Sequence, residues 1–261
     1  LGEIAGLSTL ASGLLALSLV AVAVALSLSQ RLGLEKDLGI AVVRSFVQLA
    51  AIGYVINFIF GLEGIGYVVL LLAVMVGFAG WTSSRRSSEV PGSLPLATGA
   101  VGLAAICTLG LLLALGVIPP TARYLIPLGG MVIGNSMNAT SLTLARVRDD
   151  VREQRHKVEA ALALGATGRA ALSPIVKISL KNALIPLIDS TKTAGLVFLP
   201  GAMAGMIIGG ADPLEAVRLQ MVVLYMLLGS VSIAAIFVGM LSYRSFFNAR
   251  HQLRDWLYGD R

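Results

Sequence analysis

Between Ile4 and Gln30 the chain carries no charged residue, and blocks of this kind recur along its length. A helix needs about 20 apolar residues to cross the hydrocarbon core of a bilayer. Seven blocks meet or approach that length. Ile4–Gln30 is uncharged, Leu38–Leu62 holds only Arg44, and Gly64–Ser84 is uncharged. Val90–Ala122 is also uncharged, and its prolines (Pro91, Pro95, Pro119 and Pro120) place a helix from about Leu96 to Ile118. Tyr124–Ala145 follows, then Ala183–Ala211, which contains Asp189 and Lys192, and finally Leu219–Tyr243. The expected fold is an all-α membrane protein, a polytopic bundle of about seven transmembrane helices. The linkers are short, so residues 1–261 are expected to form a single transmembrane domain. The motif Ala21-Val22-Ala23 resembles a signal-peptide cleavage site. The first block lacks a basic start and is too long for such a leader, so it is read as a retained span.

Composition agrees. Charged residues make up 13% of the 261, against roughly 25% in soluble domains, and mean hydropathy is +0.85. The net charge of +6 does not describe a nucleic-acid surface, because the basic residues cluster between apolar blocks and aromatics are sparse. Their clustering is a topology signal. With seven spans, one side collects Arg31, Lys36, Arg85 and Arg86, eight cations between Arg146 and Lys181, and Arg244, Arg250, Arg254 and Arg261. That is 16 of the 20 basic residues; the other side has Arg123, Arg218 and the acids Glu63, Asp212 and Glu215. The N-terminus is expected outside and the C-terminus in the cytoplasm, in a multi-pass protein of the inner (plasma) membrane. The lone Cys107 can form neither an internal disulfide nor a thiolate cluster.

The exception to the apolar pattern is a polar island from Arg146 to Asn182. Val147, Val151, Val158 and Leu162 recur at helical spacing, and neither Pro nor Gly intervenes before Gly165. The fifth helix is therefore expected to continue past the membrane, stop at Gly165, and be followed by a short helix capped by Thr167. Pro174 is expected to separate that helix from the next span. Residues 146–173 form the predicted cytoplasmic coupling region. Within it, Glu159-Ala160-Ala161 and Gly165 combine a charge, small side chains and a bend, which suits close docking of another protein.

Polar groups inside the spans are candidates for a substrate path or gate, or for pairing between helices. Arg44 and Gln48 share one face of the second span. Asn135 and Asn138 share one face of the fifth. Asp189 and Lys192, three apart, can pair with each other, and Arg44 is a further partner for Asp189. Gly201, Gly205 and Gly209, four apart, form a smooth stripe for helix packing or a dimer seam. The methionines of the last three spans are soft-metal ligands in principle and filler in the bland reading. No His, Asp or Glu cluster has metal-ligand spacing, so a metal site is not defined.

The segment Glu159-Ala160-Ala161…Gly165 resembles the E-A-A-x-x-x-G loop of ABC-transporter membrane subunits. Ile175 falls at the isoleucine of that motif, without the usual Leu-Pro after it. The chain as a whole resembles a family of ABC permeases that includes bacterial iron-export and plant aluminium-tolerance permeases. The carrying segments begin at Arg44-Ser45-Phe46-Val47-Gln48-Leu49 and Gly134-Asn135-Ser136-Met137-Asn138-Ala139. They continue at Leu199-Pro200-Gly201-Ala202-Met203-Ala204-Gly205 and at Asp212 to Gln220. Members more often have a Met-Thr pair near Met203.

The resemblance implies a non-catalytic permease subunit, homodimeric and bound to two copies of a separate ATPase that carries ATP and Mg. The coupling motif would dock on that ATPase. Consistent with this, the chain has no G-x-x-x-x-G-K-[ST] phosphate loop. Export of iron or another small solute is the implied activity, with nucleotide sugars as an alternative cargo. A secondary transporter driven by an ion gradient would use Asp189 and leave the island without a role.

Overall fold

The computed structural model describes residues 9–60, 64–248 and 252–257. The sequence assignments on Ile4, Leu62, Glu63, Arg250 and Arg261 lie outside them. The chain divides into two compact units, one up to Glu63 and one from Gly64 onward.

The first unit is a helical pair, α1 (Thr9–Ser29) and α2 (Glu35–Phe60). Two hydroxyls of α1 bond to its own backbone: Ser18 donates to the Leu15 carbonyl and Ser29 to that of Leu26. Ser27 fastens the turn, accepting from the Leu34 amide at 3.2 Å and donating to Glu35 Oε1 at 2.9 Å. Glu35 and Asp37 in the first turn of α2 complement its dipole.

The second unit holds α3 (Ile65–Arg86), α4 (Ser93–Ala114), α5 (Ala122–Glu153), α6 (Arg155–Ala163), α7 (Gly168–Thr193), α8 (Gly201–Ile208), α9 (Pro213–Leu241) and the short α10 (Tyr243–Phe246). Among the described residues there is no strand, only two isolated bridges. Seven helices, α1 to α5, α7 and α9, have 21 residues or more. Five of them (α2, α3, α4, α7 and α9) are long and apolar enough to cross a membrane, and α1 adds an apolar run over Leu17–Ser29. Among these seven, α5 is the least apolar: its last turns carry the charges from Arg146 to Glu153, and where it packs against α3, α4, α7 and α9 it buries Ser136, Thr140, Ser141 and Thr143 on its inner faces. A helix shielded from lipid by its neighbours can afford hydroxyls.

Close helix approach rests on small residues. Ala97, Ala100, Val101 and Ala104 line one face of α4 with no exposed surface. A Cβ on Gly80 would lie 2.1 Å from Thr98 Oγ1, one on Gly129 would lie 2.5 Å from Leu72, and one on Gly239 would lie 2.8 Å from Leu180. At α9, Asp212 caps the helix by accepting from the amides of Leu214 and Glu215, with Pro213 in the first turn.

Three expected boundaries are corrected. The fifth helix stops at Gln154, a single non-helical residue before α6, although no Pro or Gly is there. Pro174 does not separate two elements but lies inside α7, where Leu172, Ile175 and Val176 are buried on both sides of it. That packing outweighs the one amide donor Pro lacks. The sixth block is not one helix: α7 ends at Thr193, residues 194–200 turn, and the remainder is the eight-residue α8.

Candidate functional site: an elbow and a half-depth polar end

The elbow joins α5 to α7. Its bend is a Schellman closure: the Gly165 amide donates to the Leu162 carbonyl at 2.9 Å and the Ala166 amide to that of Ala161 at 3.0 Å. Gly165 has φ +88, a conformation side chains resist. Thr167 caps α7 as expected, its hydroxyl accepting from the Ala170 amide. Val158 anchors the inner face of α6 and Leu162 packs beside it. Outward lie the exposed Ala160 and Ala163, half-buried Glu159 and Ala161, and, at the apex, Leu164 with 89% of its surface exposed. Glu159 stands 3.7 Å from His156 Nδ1.

Sequence reasoning missed what fastens this elbow. Phe246, Phe247, Leu253 and Leu257 of the C-terminal tail are buried against Val147, Val151, Val158 and Leu172. Phe247 lies so close to Gly168 that a Cβ there would meet its ring at 2.6 Å. Ser179 of α7 donates to Asp150 of α5 at 2.5 Å. The signal was present in the aromatic and leucine spacing of the tail, but its basic residues drew the reading toward topology alone.

The Ser179–Asp150 bond also serves as a depth marker, because α7 returns along α5 from there. From Asp150 back to Ala122, α5 runs 28 residues, about 42 Å; from Ser179 to Thr193, α7 runs 14, about 21 Å. So α7 ends about halfway along α5, level with Ser136. Residues 124–145 of α5 are uncharged over about 33 Å, close to the hydrocarbon thickness of about 30 Å. Gly239 against Leu180 gives a second marker, which sets Thr193 level with Met226, near the middle of α9. Both put the end of α7 near mid-depth.

That end is polar. Lys192 Nζ lies 3.4 Å from Asp189 Oδ1, with side chains 70% and 60% exposed. Arg44 and Gln48 stand exposed on α2 in the first unit. Ser190, Thr191 and Thr193 donate to carbonyls one turn back. After them, Leu196 and Val197 protrude, 90% and 77% exposed. On α5, Asn135 donates to the Met131 carbonyl at 2.8 Å, while the exposed Asn138 accepts from Arg86 Nη1 at 2.9 Å. Gly201 and Gly205 on α8 have open space where a side chain would be, and Gly209 meets only its own helix, so this stripe packs against no other helix of the described chain. Among the described residues no group of three metal-ligating side chains occurs.

These features describe a multi-pass membrane protein with polar groups at bilayer depth and a shaped elbow beyond it. The chain belongs to the UPF0014 family, an uncharacterised protein family whose pattern it matches over residues 10–247. It is 45% identical to the UPF0014 membrane protein STAR2 of Oryza sativa subsp. japonica over 93% of this chain and 85% of that one. It is 44% identical to the Protein ALUMINUM SENSITIVE 3 of Arabidopsis thaliana, covering 93% and 89%. With the probable iron export permease protein FetB of Escherichia coli (strain K12) the identity is 37%, covering 92% of each chain. No solved structure matches.

Proposed function

We propose that this chain is the permease subunit of an ABC exporter, worked by a separate ATPase that docks on α6 and the apex at Leu164. The observation that carries the reading is the elbow itself: a short, small-residue helix, outward-facing, yet fixed through Val158, Ser179 and the tail to the two helices that bear the mid-depth polar groups. Glu159, Ala160, Ala161 and Gly165 make the docking contact and its bend. ATP and Mg belong to the partner, present in two copies.

Asp189, Lys192, Asn135 and Asn138 line the path. A charge at the centre of a bilayer costs about 2.5–3.5 kcal/mol or more, so exposed Asp189 and Lys192 face water or a second copy rather than lipid. That supports a homodimer, with Gly201, Gly205 and Gly209 on α8 as its seam. The elbow and the C-terminus are cytoplasmic. Iron is the first cargo to test, given the name of the bacterial relative, and nucleotide sugars are the second.

The test is transport in vesicles holding this chain with and without the ATPase. ATP-dependent efflux that requires both subunits is expected. Cargo movement by this chain alone, driven by an ion gradient, would overturn the reading in favour of a secondary transporter.

A further inference from the structure

The elbow end of the second unit carries a groove that the transport reading does not use. It lies between the first half of α7 and the end of α9. Its floor is apolar, made by Leu172, Val176 and Leu180 on one side and Gly239 and Met240 on the other. Its rim is cationic, with Arg169 and Lys177 on α7. Past Tyr243 it opens into an adjoining hollow lined by Arg169 and Arg244.

No acidic residue lines either hollow. Among the described residues, no carboxylate pairs with Arg169, Lys177 or Arg244. Arg244 makes its one described side-chain hydrogen bond to the Tyr243 phenol, at 3.3 Å. Arg169 sits in the first turn of a 26-residue helix, where the helix dipole favours an anion and no acidic residue is present. This end of α7 is therefore positive with no counter-charge of its own.

The two depth markers locate the groove. The uncharged stretch of α5 ends level with residue 184 of α7, and Tyr243 at the end of α9 is level with residue 176. The edge of the hydrocarbon falls between, near Leu180. Leu180 and Met240 lie at that edge, Lys177 about one turn toward water, and Arg169 and Arg244 among the headgroups.

We propose that this groove is a binding site for an anionic phospholipid. The phosphate is held by Lys177, Arg169 and Arg244, and an acyl chain starts along Leu180 and Met240. The Tyr243 ring sits at the glycerol level, as aromatic residues at membrane interfaces do. Basic hollows between membrane helices are suited to such headgroups. The floor decides against a free phosphate or the acidic face of a soluble partner, because it is apolar and leads up to the hydrocarbon edge, where an acyl chain continues.

The test is native mass spectrometry of the purified full chain in detergent. It is offered phosphatidylglycerol and phosphatidylcholine with identical acyl chains, and separately the headgroup compound glycerophosphoglycerol. The wild type is expected to retain phosphatidylglycerol over phosphatidylcholine on the order of tenfold. The variant Arg169→Gln/Lys177→Gln/Arg244→Gln is expected to lose that preference, while Arg123→Gln/Arg218→Gln keeps it. Met240→Trp fills the floor without removing charge and is expected to lower retention of both lipids. All three cations of the triple variant are exposed, and the double variant Lys177→Gln/Arg244→Gln, with an intermediate preference expected, guards against a folding defect. An unchanged preference in the triple and double variants, or full competition by glycerophosphoglycerol, would overturn the proposal.

Discussion

Gly168 is the residue where the smallest change has the clearest structural cost. A methyl group there would meet the Phe247 ring at 2.6 Å, and that ring is 7% exposed and wedged among the elbow residues. Overpacking of this kind typically costs about 1–3 kcal/mol. Gly168→Ala is therefore expected to lower the thermal midpoint of the detergent-purified chain by several degrees. Gly134→Ala, with open space around it, is expected to leave the midpoint in place. Ser179→Ala strips Asp150 of its described partner from α7 and is expected to cost about 1–3 kcal/mol by the same measurement.

At the scale of elements, α6 and its closing turn form one unit of shape. Gly165→Val forces a β-branched residue to φ +88, and Glu159→Lys reverses the charge beside the outward face. Each is expected to abolish cargo-linked ATP hydrolysis while the chain still inserts into membranes. Leu164→Asp, at the exposed apex, is expected to reduce co-purification of the ATPase at least as strongly. Normal coupled turnover in all three would remove the elbow from its role.

The elements themselves were largely legible. The helices α1 to α4 and α9 lie on their apolar blocks, α7 takes only residues 183–193 of its block, and the Thr167 cap and the Gly165 bend follow from local chemistry. What was not legible depends on contacts distant in sequence. Nothing local stops the helix at Gln154, and nothing local carries α7 through Pro174; that continuity comes from Leu172, Ile175 and Val176 packing on α5 and on a tail some 70 residues further along. The glycines that seat helices, Gly80, Gly129 and Gly239, do not form a stripe, whereas the evident stripe on α8 meets no helix of the described chain. The polar residues Asp189, Lys192, Asn135 and Asn138 were visible as exceptions to the oil, but their depth needed the α5–α7 register.

For the whole molecule, the question is whether water reaches the half-depth end of α7. In a Cys107→Ser background, Thr193→Cys is expected to react with a membrane-impermeant maleimide in intact vesicles. Ile106→Cys, 74% exposed on the apolar α4, is expected to resist it. Equal labelling of both positions, or of neither, would refute a hydrated path. Asp189→Asn and Lys192→Met are expected to abolish efflux yet leave the ATPase attached, separating path from docking.

The tie between Ser179 and Asp150 has a mechanical corollary. From the bend to the bilayer centre, α5 and α7 are two stiff rods clamped together near one end, and the rods have no other flexible joint than their prolines. A load applied at the apex arrives as a tilt of both. The end of α7 at Asp189 and the middle of α5 at Asn135 would then shift against each other with no backbone hydrogen bond needing to break.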